Sequence, residues 1–261
     1  MKNYLKAIIK IFLVLLAYFA LQTLVTALFA AIGGAGTEGD IQAAMNDFLA
    51  QKASLISLLN NLLVVAVILV FYFKKQSVRA MMAIAPLPGG EYLWCALCAV
   101  ASSIAVSLLI TLLPIPDDIM TSYNDSITAS SGGTFLEHFI ATAALAPIAE
   151  ELFFRGVIYG TLKGVLKPPS AMIISCALFG LLHGQLIWMV YAFLMGVALT
   201  LIYDKYKSLL ASMAFHVAFN ITGSFILPAF GDGIPALPLL LAMCLGLWCS
   251  VRHIRTYNTN A

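Results

Sequence analysis

Two adjacent carboxylates, Glu150 and Glu151, and a guanidinium, Arg155, occur in APIAEELFFRG, residues 146–156, inside a run that otherwise reads as membrane-buried. Two imidazoles and an amide follow: His183 in FGLLH, then His216 and Asn220 in HVAFN. A carboxylate beside a neutral imidazole can bind a water and deprotonate it. A second imidazole and an amide N–H can donate to the oxyanion that forms when that water attacks a peptide carbonyl. This set can hydrolyse a peptide bond with no Ser or Cys nucleophile. The same Glu, His and Asn groups could instead hold a divalent metal that acidifies the water. The H-E-x-x-H signature of the zincins is absent.

Helical spacing sorts these residues by face. Glu151 and Arg155 are i and i+4, so they share one face, and Glu150 projects about 100° away from Glu151. One glutamate can therefore pair with Arg155 while the other faces a cavity. His216 and Asn220 share a face, as do Phe179 and His183.

The elements that must position them are membrane helices. Of 261 residues, 62% are hydrophobic and only 10% are charged, against about 25% charged in a soluble domain. So few charges cannot cover a water-facing surface, and nucleic-acid binding is not expected because the basic residues fall in small clusters between apolar runs. The fold expected is an all-α polytopic transmembrane bundle of about eight spans in a single domain, 1–261. Spans are expected near residues 6–32, 54–73, 92–113, 135–160, 170–187, 189–203, 208–227 and 236–251, the fourth broken at Pro147. The N-terminal apolar run is longer than the h-region of a signal peptide and reads as an uncleaved first span.

Charge placement supports that count. Lys2, Lys6 and Lys10 precede the first span, Lys74, Lys75 and Arg79 follow the second, and Lys163 and Lys167 follow the fourth. Lys205 and Lys207 follow the sixth, and Arg252 and Arg255 the eighth. The intervening loops hold Glu38, Asp40, Asp47, Asp117, Asp118, Asp125 and Asp232, with Lys52 as their one basic residue. By the positive-inside rule both termini are cytoplasmic. At about 1.5 Å per helical residue, Glu150 and His183 lie about 20 Å from the cytoplasmic ends of their helices, and His216 and Asn220 about 12 and 18 Å. Three helices thus bring polar groups to a similar depth.

Each feature has a plainer reading. A Glu–Arg pair can be a structural lock, a membrane histidine a helix-to-helix hydrogen bond, and an Asn bundle glue. Ionisable groups within spans nevertheless mark functional sites by default, and these converge. The five cysteines all lie in apolar segments, where thiols behave as small hydrophobes, and Cys95 and Cys98 form a C-x-x-C without the βα context of a redox motif.

EELFFR resembles the E-E-x-x-x-R motif of the CPBP family of intramembrane proteases, which includes the type II CAAX prenyl endopeptidases and bacteriocin-processing, abortive-infection-like and self-immunity proteins. FGLLH resembles its F-x-x-x-H and HVAFN its H-x-x-x-N, in the family's order, within a motif-bearing core of 135–227. The resemblance implies that Glu150 is the general base acting with His183 on water, and that His216 and Asn220 stabilise the oxyanion. It further implies that Glu151 and Arg155, with Phe179, organise the site. The family has been described both as metalloproteases and as glutamate proteases. The glutamate reading is preferred because four ligands on three helices make an incomplete, oxygen-poor metal site. No cofactor is therefore expected; were a divalent metal such as zinc to take part, Glu150, His183 and His216 would be its ligands.

The basic clusters suggest a multi-pass protein of a bacterial inner (cytoplasmic) membrane, and bacteria generally lack prenylated CAAX proteins. The expected partners are the lipid bilayer and a peptide or membrane-protein substrate, such as a bacteriocin-like or signal peptide. Two readings compete with intramembrane proteolysis. A proton-coupled transporter should show inverted repeats, and none is found. A non-catalytic immunity or scaffold protein has no need of the full motif set.

Overall fold

The computed structural model describes residues 2–230 and 236–257, all of its regular structure helical. Asp232, counted above among the loop acids, lies outside the described residues. The helices are α1 (Lys2–Gly34), α2 (Ile41–Gln51), α3 (Ala53–Lys74), α4 (Gln76–Met81), α5 (Gly89–Leu112) and α6 (Asp117–Ser130). Then come α7 (135–163), α8 (Pro168–Leu181), α9 (Leu186–Tyr206), α10 (Leu209–Phe230) and α11 (Ala236–Thr256). Among the described residues, six helices are long and apolar enough to cross a membrane: α1, α3, α5, α9, α10 and α11. Helix α8 is apolar but shorter.

Helix α7 does not break at Pro147. It stays helical throughout but changes register, running Phe135–Phe139, a π segment Ile140–Leu145, Ala146–Glu150, a second π segment Glu151–Tyr159, and Gly160–Lys163. The cause of the first change is visible in the ladder. Ala146 N–H bonds to Ala141 O, the i→i+5 pattern. The next donor in that register would be Pro147, which has no N–H, so the carbonyl of Thr142 is left without its helical partner.

The fifth span also differs from expectation. Helix α8 ends at Leu181 rather than near 187, because Gly184 takes a left-handed backbone (φ 74°) and the Gln185 side chain accepts from Trp188 N–H at 3.0 Å, capping α9. Fourteen residues rise only about 21 Å, less than the ~30 Å hydrocarbon core. His183 therefore sits in a turn and not on a helix. Non-helical backbone at membrane depth is tolerated where protein buries it or where it lines a wet cavity. Tyr123 of α6 packs edge-on against Trp188 just beyond that turn, with centroids 6.3 Å apart.

Contacts gather the basic segments at one end of the bundle. Lys163 bonds Asp204 at 2.9 Å, Lys205 donates to the Arg255 carbonyl at 2.9 Å, and Lys10 points at Met81 Sδ at 3.6 Å. Glu91 at the start of α5 accepts from Tyr206 O–H at 2.8 Å and lies 3.1 Å from His253 Nε2 on α11. Reporter fusions after Arg79, Lys167 and Lys207 should therefore read cytoplasmic, and fusions at Asp47 and Asp125 should read the opposite side. A reversed reading at Lys167 or Asp125 would remove the depth argument for the site.

Candidate active site

The second π segment of α7, with α8, α9 and α10, closes around Glu151 and Arg155. Glu151 is 0% exposed and Arg155 1%, so neither charge meets solvent. A buried charge must be paired, and here it is. Arg155 Nη1 donates to Glu151 Oε1 at 2.7 Å, and Nη2 donates to the Gly196 carbonyl on α9 at 3.1 Å. The guanidinium carbon lies 4.6 Å from the centre of the Phe179 ring, a cation–π stack. Gly196 permits this approach: a Cβ there would stand 3.2 Å from Phe179 Cδ1 and 3.4 Å from Arg155 Nη2. Among the described residues Glu151 Oε2 and Arg155 Nε have no hydrogen-bond partner, so the pair rests on Oε1 and the two terminal nitrogens.

His216 of α10, 1% exposed, lies between the two glutamates. Its Nδ1 is 3.0 Å from Glu151 Oε1, and its Nε2 is 3.6 Å from Glu150 Oε2. The Glu151 carboxylate accepts only, so Nδ1 carries the proton and the ring orientation is fixed. Glu150 sits one residue earlier on α7, and its side chain keeps 25% exposure. Adjacent glutamates thus have opposite environments, one sealed and one open.

His183 is oriented by backbone. Its Nδ1 lies 2.7 Å from Phe179 O, a carbonyl that can only accept, so Nδ1 is the donor and Nε2 presents a lone pair. The Phe179 ring is fully buried and stands edge-on to His183 at 4.7 Å and to His216 at 6.0 Å. Phe179 is thus the common wall of Arg155 and both imidazoles. Asn220 uses Nδ2 to donate to Thr142 O at 2.9 Å, satisfying the carbonyl that Pro147 leaves free. One of its two N–H bonds is committed, and the other is available.

Sequence spacing did not point to Thr142 or Gly196. Thr142 was recoverable in principle, since it stands five residues before a proline. Gly196 gave no local signal, because its role depends on what α7 and α8 bring to it. Among the described residues no three or more His, Cys, Asp or Glu side chains converge as metal ligands would. Glu150 Oε2 and His216 Nε2 approach one another to 3.6 Å.

The family model for Rce1-like proteins, type II CAAX prenyl endopeptidases, matches residues 132–222. That stretch is similar to the Rce1-like family. The match contains Glu150, Glu151, Arg155, Phe179, His183, His216 and Asn220, and leaves α1, α3 and α5 outside. The UPF0177 protein YxdF of Lactococcus lactis subsp. lactis (strain IL1403) is 26% identical over 129 residues, covering 46% of this chain and 69% of that protein. No solved structure matches. Both matches agree with the resemblance to the CPBP intramembrane proteases, and the six apolar helices make this a multi-pass membrane protein similar to a protease family over residues 132–222.

Proposed function

We propose that the protein is an intramembrane endopeptidase in which Glu150 activates water. The observation that carries this reading is the contrast between Glu151, sealed with Arg155 and His216, and Glu150, open on the other side of the same imidazole. A sealed carboxylate orients; an open one can reach a water.

The step follows from these positions. Glu150, with the free Nε2 of His183, holds the water, and Glu150 takes its proton as the oxygen bonds to the scissile carbonyl carbon. The carbonyl π electrons move to oxygen. That oxyanion accepts from Nε2–H of His216, which donates there in the imidazolium form while its Nδ1–H is held by Glu151, and from the second N–H of Asn220. When the tetrahedral species collapses, the C–N bond breaks and the amine nitrogen takes the proton from Glu150, leaving a carboxylic acid and an amine. The substrate class is a peptide or membrane-protein segment presented within the bilayer of a bacterial inner membrane, and the reading as a glutamate-type enzyme rests on the donor geometry.

Asn220 allows a test that separates chemistry from structure. Asn220→Ala should cost about 10²–10³-fold in turnover as an oxyanion donor is lost. It should also cost about 1–3 kcal/mol of stability, because the Thr142 carbonyl loses its partner. Pro147→Ala restores a backbone N–H in the register that reaches Thr142 O. The double variant should recover melting temperature without recovering turnover, measured per folded molecule against a peptide library in detergent. If turnover returns together with stability, Asn220 serves only the helix.

A further inference from the structure

A cavity of about 660 Å³ lies between α1, α3 and α7, outside the residues matched by the family model except where Phe153 and Val157 form its floor. Its walls are apolar, among them Leu13, Leu21, Val64 and Phe71. Lys6 and Lys10 line one end, with Val78 and Met81 of the α4 region beside them, and Tyr18 and Leu21 line the other. Among the described residues that line it none is an Asp or Glu, and neither lysine has a carboxylate within ion-pair distance. The Lys10 ammonium is directed at a thioether, Met81 Sδ, a weak acceptor.

The dimensions narrow the occupant. From Lys10 to Leu21 the helix rises about 16 Å, which is about half of a ~30 Å hydrocarbon core. The groove is therefore one leaflet deep, cationic where headgroups lie and apolar below. Tyr18 lines the deep part, its ring 4.8 Å from that of Phe153, three residues after Glu150. A site with two unpaired ammonium groups above an acyl-deep slot suits an amphiphile with an anionic head.

We propose that this groove binds one anionic phospholipid of the leaflet facing the basic end, its phosphate on Lys6 and Lys10 and an acyl chain along α1 and α3 toward Tyr18. A peptide segment fits less well, because the slot offers no polar partner for backbone amides between Lys10 and Tyr18. The inference does not depend on the catalytic assignment.

The test uses delipidated full-length protein in detergent, titrated with dioleoyl phosphatidylglycerol, dioleoyl phosphatidylcholine or inorganic phosphate. Retained lipid is read by native mass spectrometry and melting temperature is recorded on the same samples. Phosphatidylglycerol should bind about 30-fold more tightly than phosphatidylcholine, at about 1 kcal/mol for each lysine. Phosphate alone should neither bind nor stabilise. K6Q/K10Q should bring the two lipids close to equal, and Ala17→Trp, which fills the groove wall without touching a charge, should weaken both. Each variant's melting temperature without lipid shows whether it folds. E150Q should bind phosphatidylglycerol as the wild type does, which keeps this result separate from the proteolytic reading. Equal binding of the two lipids by the wild-type protein overturns the proposal, as does a preference that survives K6Q/K10Q. Stabilisation by phosphate alone would assign the lysines to a free anion instead.

Discussion

Glu150→Gln should lower hydrolysis by about 10²–10⁴-fold, the range for loss of a general base, while leaving the fold almost unchanged. Glutamine keeps the volume and an acceptor oxygen but cannot take the water's proton. Stability should hold because Glu150 makes no tight pair: among the described residues its contact within ion-pair distance is His216 Nε2 at 3.6 Å, and its side chain is partly exposed. Replacing it removes a charge without stranding another. The measurement is turnover per folded molecule with melting temperature on the same sample. Wild-type turnover in the variant would mean that another group is the base. A loss of melting temperature in proportion to activity would make Glu150 structural.

Arg155→Ala should show the opposite profile, with folded yield and melting temperature falling together with activity. The guanidinium holds a 0% exposed carboxylate, a backbone carbonyl on α9 and the face of Phe179 at once. Removing one partner of a buried pair costs about 3–5 kcal/mol because the other charge is left uncompensated. At about 2–4 °C per kcal/mol, the melting temperature should drop by roughly 6–20 °C. Arg155→Lys should rescue only in part, since an ammonium is a point charge and lacks the planar fork that meets Glu151 and Gly196 while stacking on a ring. Glu151→Gln combined with Arg155→Ala should regain much of the stability by removing the stranded charge, yet stay inactive because His216 loses its orienting carboxylate. Wild-type melting in Arg155→Ala would show that the pair contributes nothing to the fold.

The all-helical membrane fold was legible in the sequence because its cause is one-dimensional. Apolar runs of bilayer length must close their backbone hydrogen bonds within the segment, and only a helix does so in a single run. The meeting of Glu151 and Arg155 was legible for a similar reason: i and i+4 neighbours touch in a helix whatever surrounds it, and the contact survives even where α7 widens to a π segment. The chain-order motifs EELFFR, FGLLH and HVAFN pointed to the protease family on side-chain identity alone.

The tertiary structure decided the rest. Hydropathy cannot see that Pro147 shifts the register of α7 instead of breaking it, because the free Thr142 carbonyl is satisfied by Asn220, 78 residues away. Nor can it see that α8 stops at Leu181 and leaves His183 on a turn, since Leu182 is as apolar as the helix before it. The assignment of the two glutamates to opposite environments depends on His216 entering between them from α10, and the seat of Arg155 depends on a glycine in α9 with no side chain to displace it. Local spacing determines which groups share a helix face. Which of those faces is sealed and which stays open to a water is set only by the helices that pack against it.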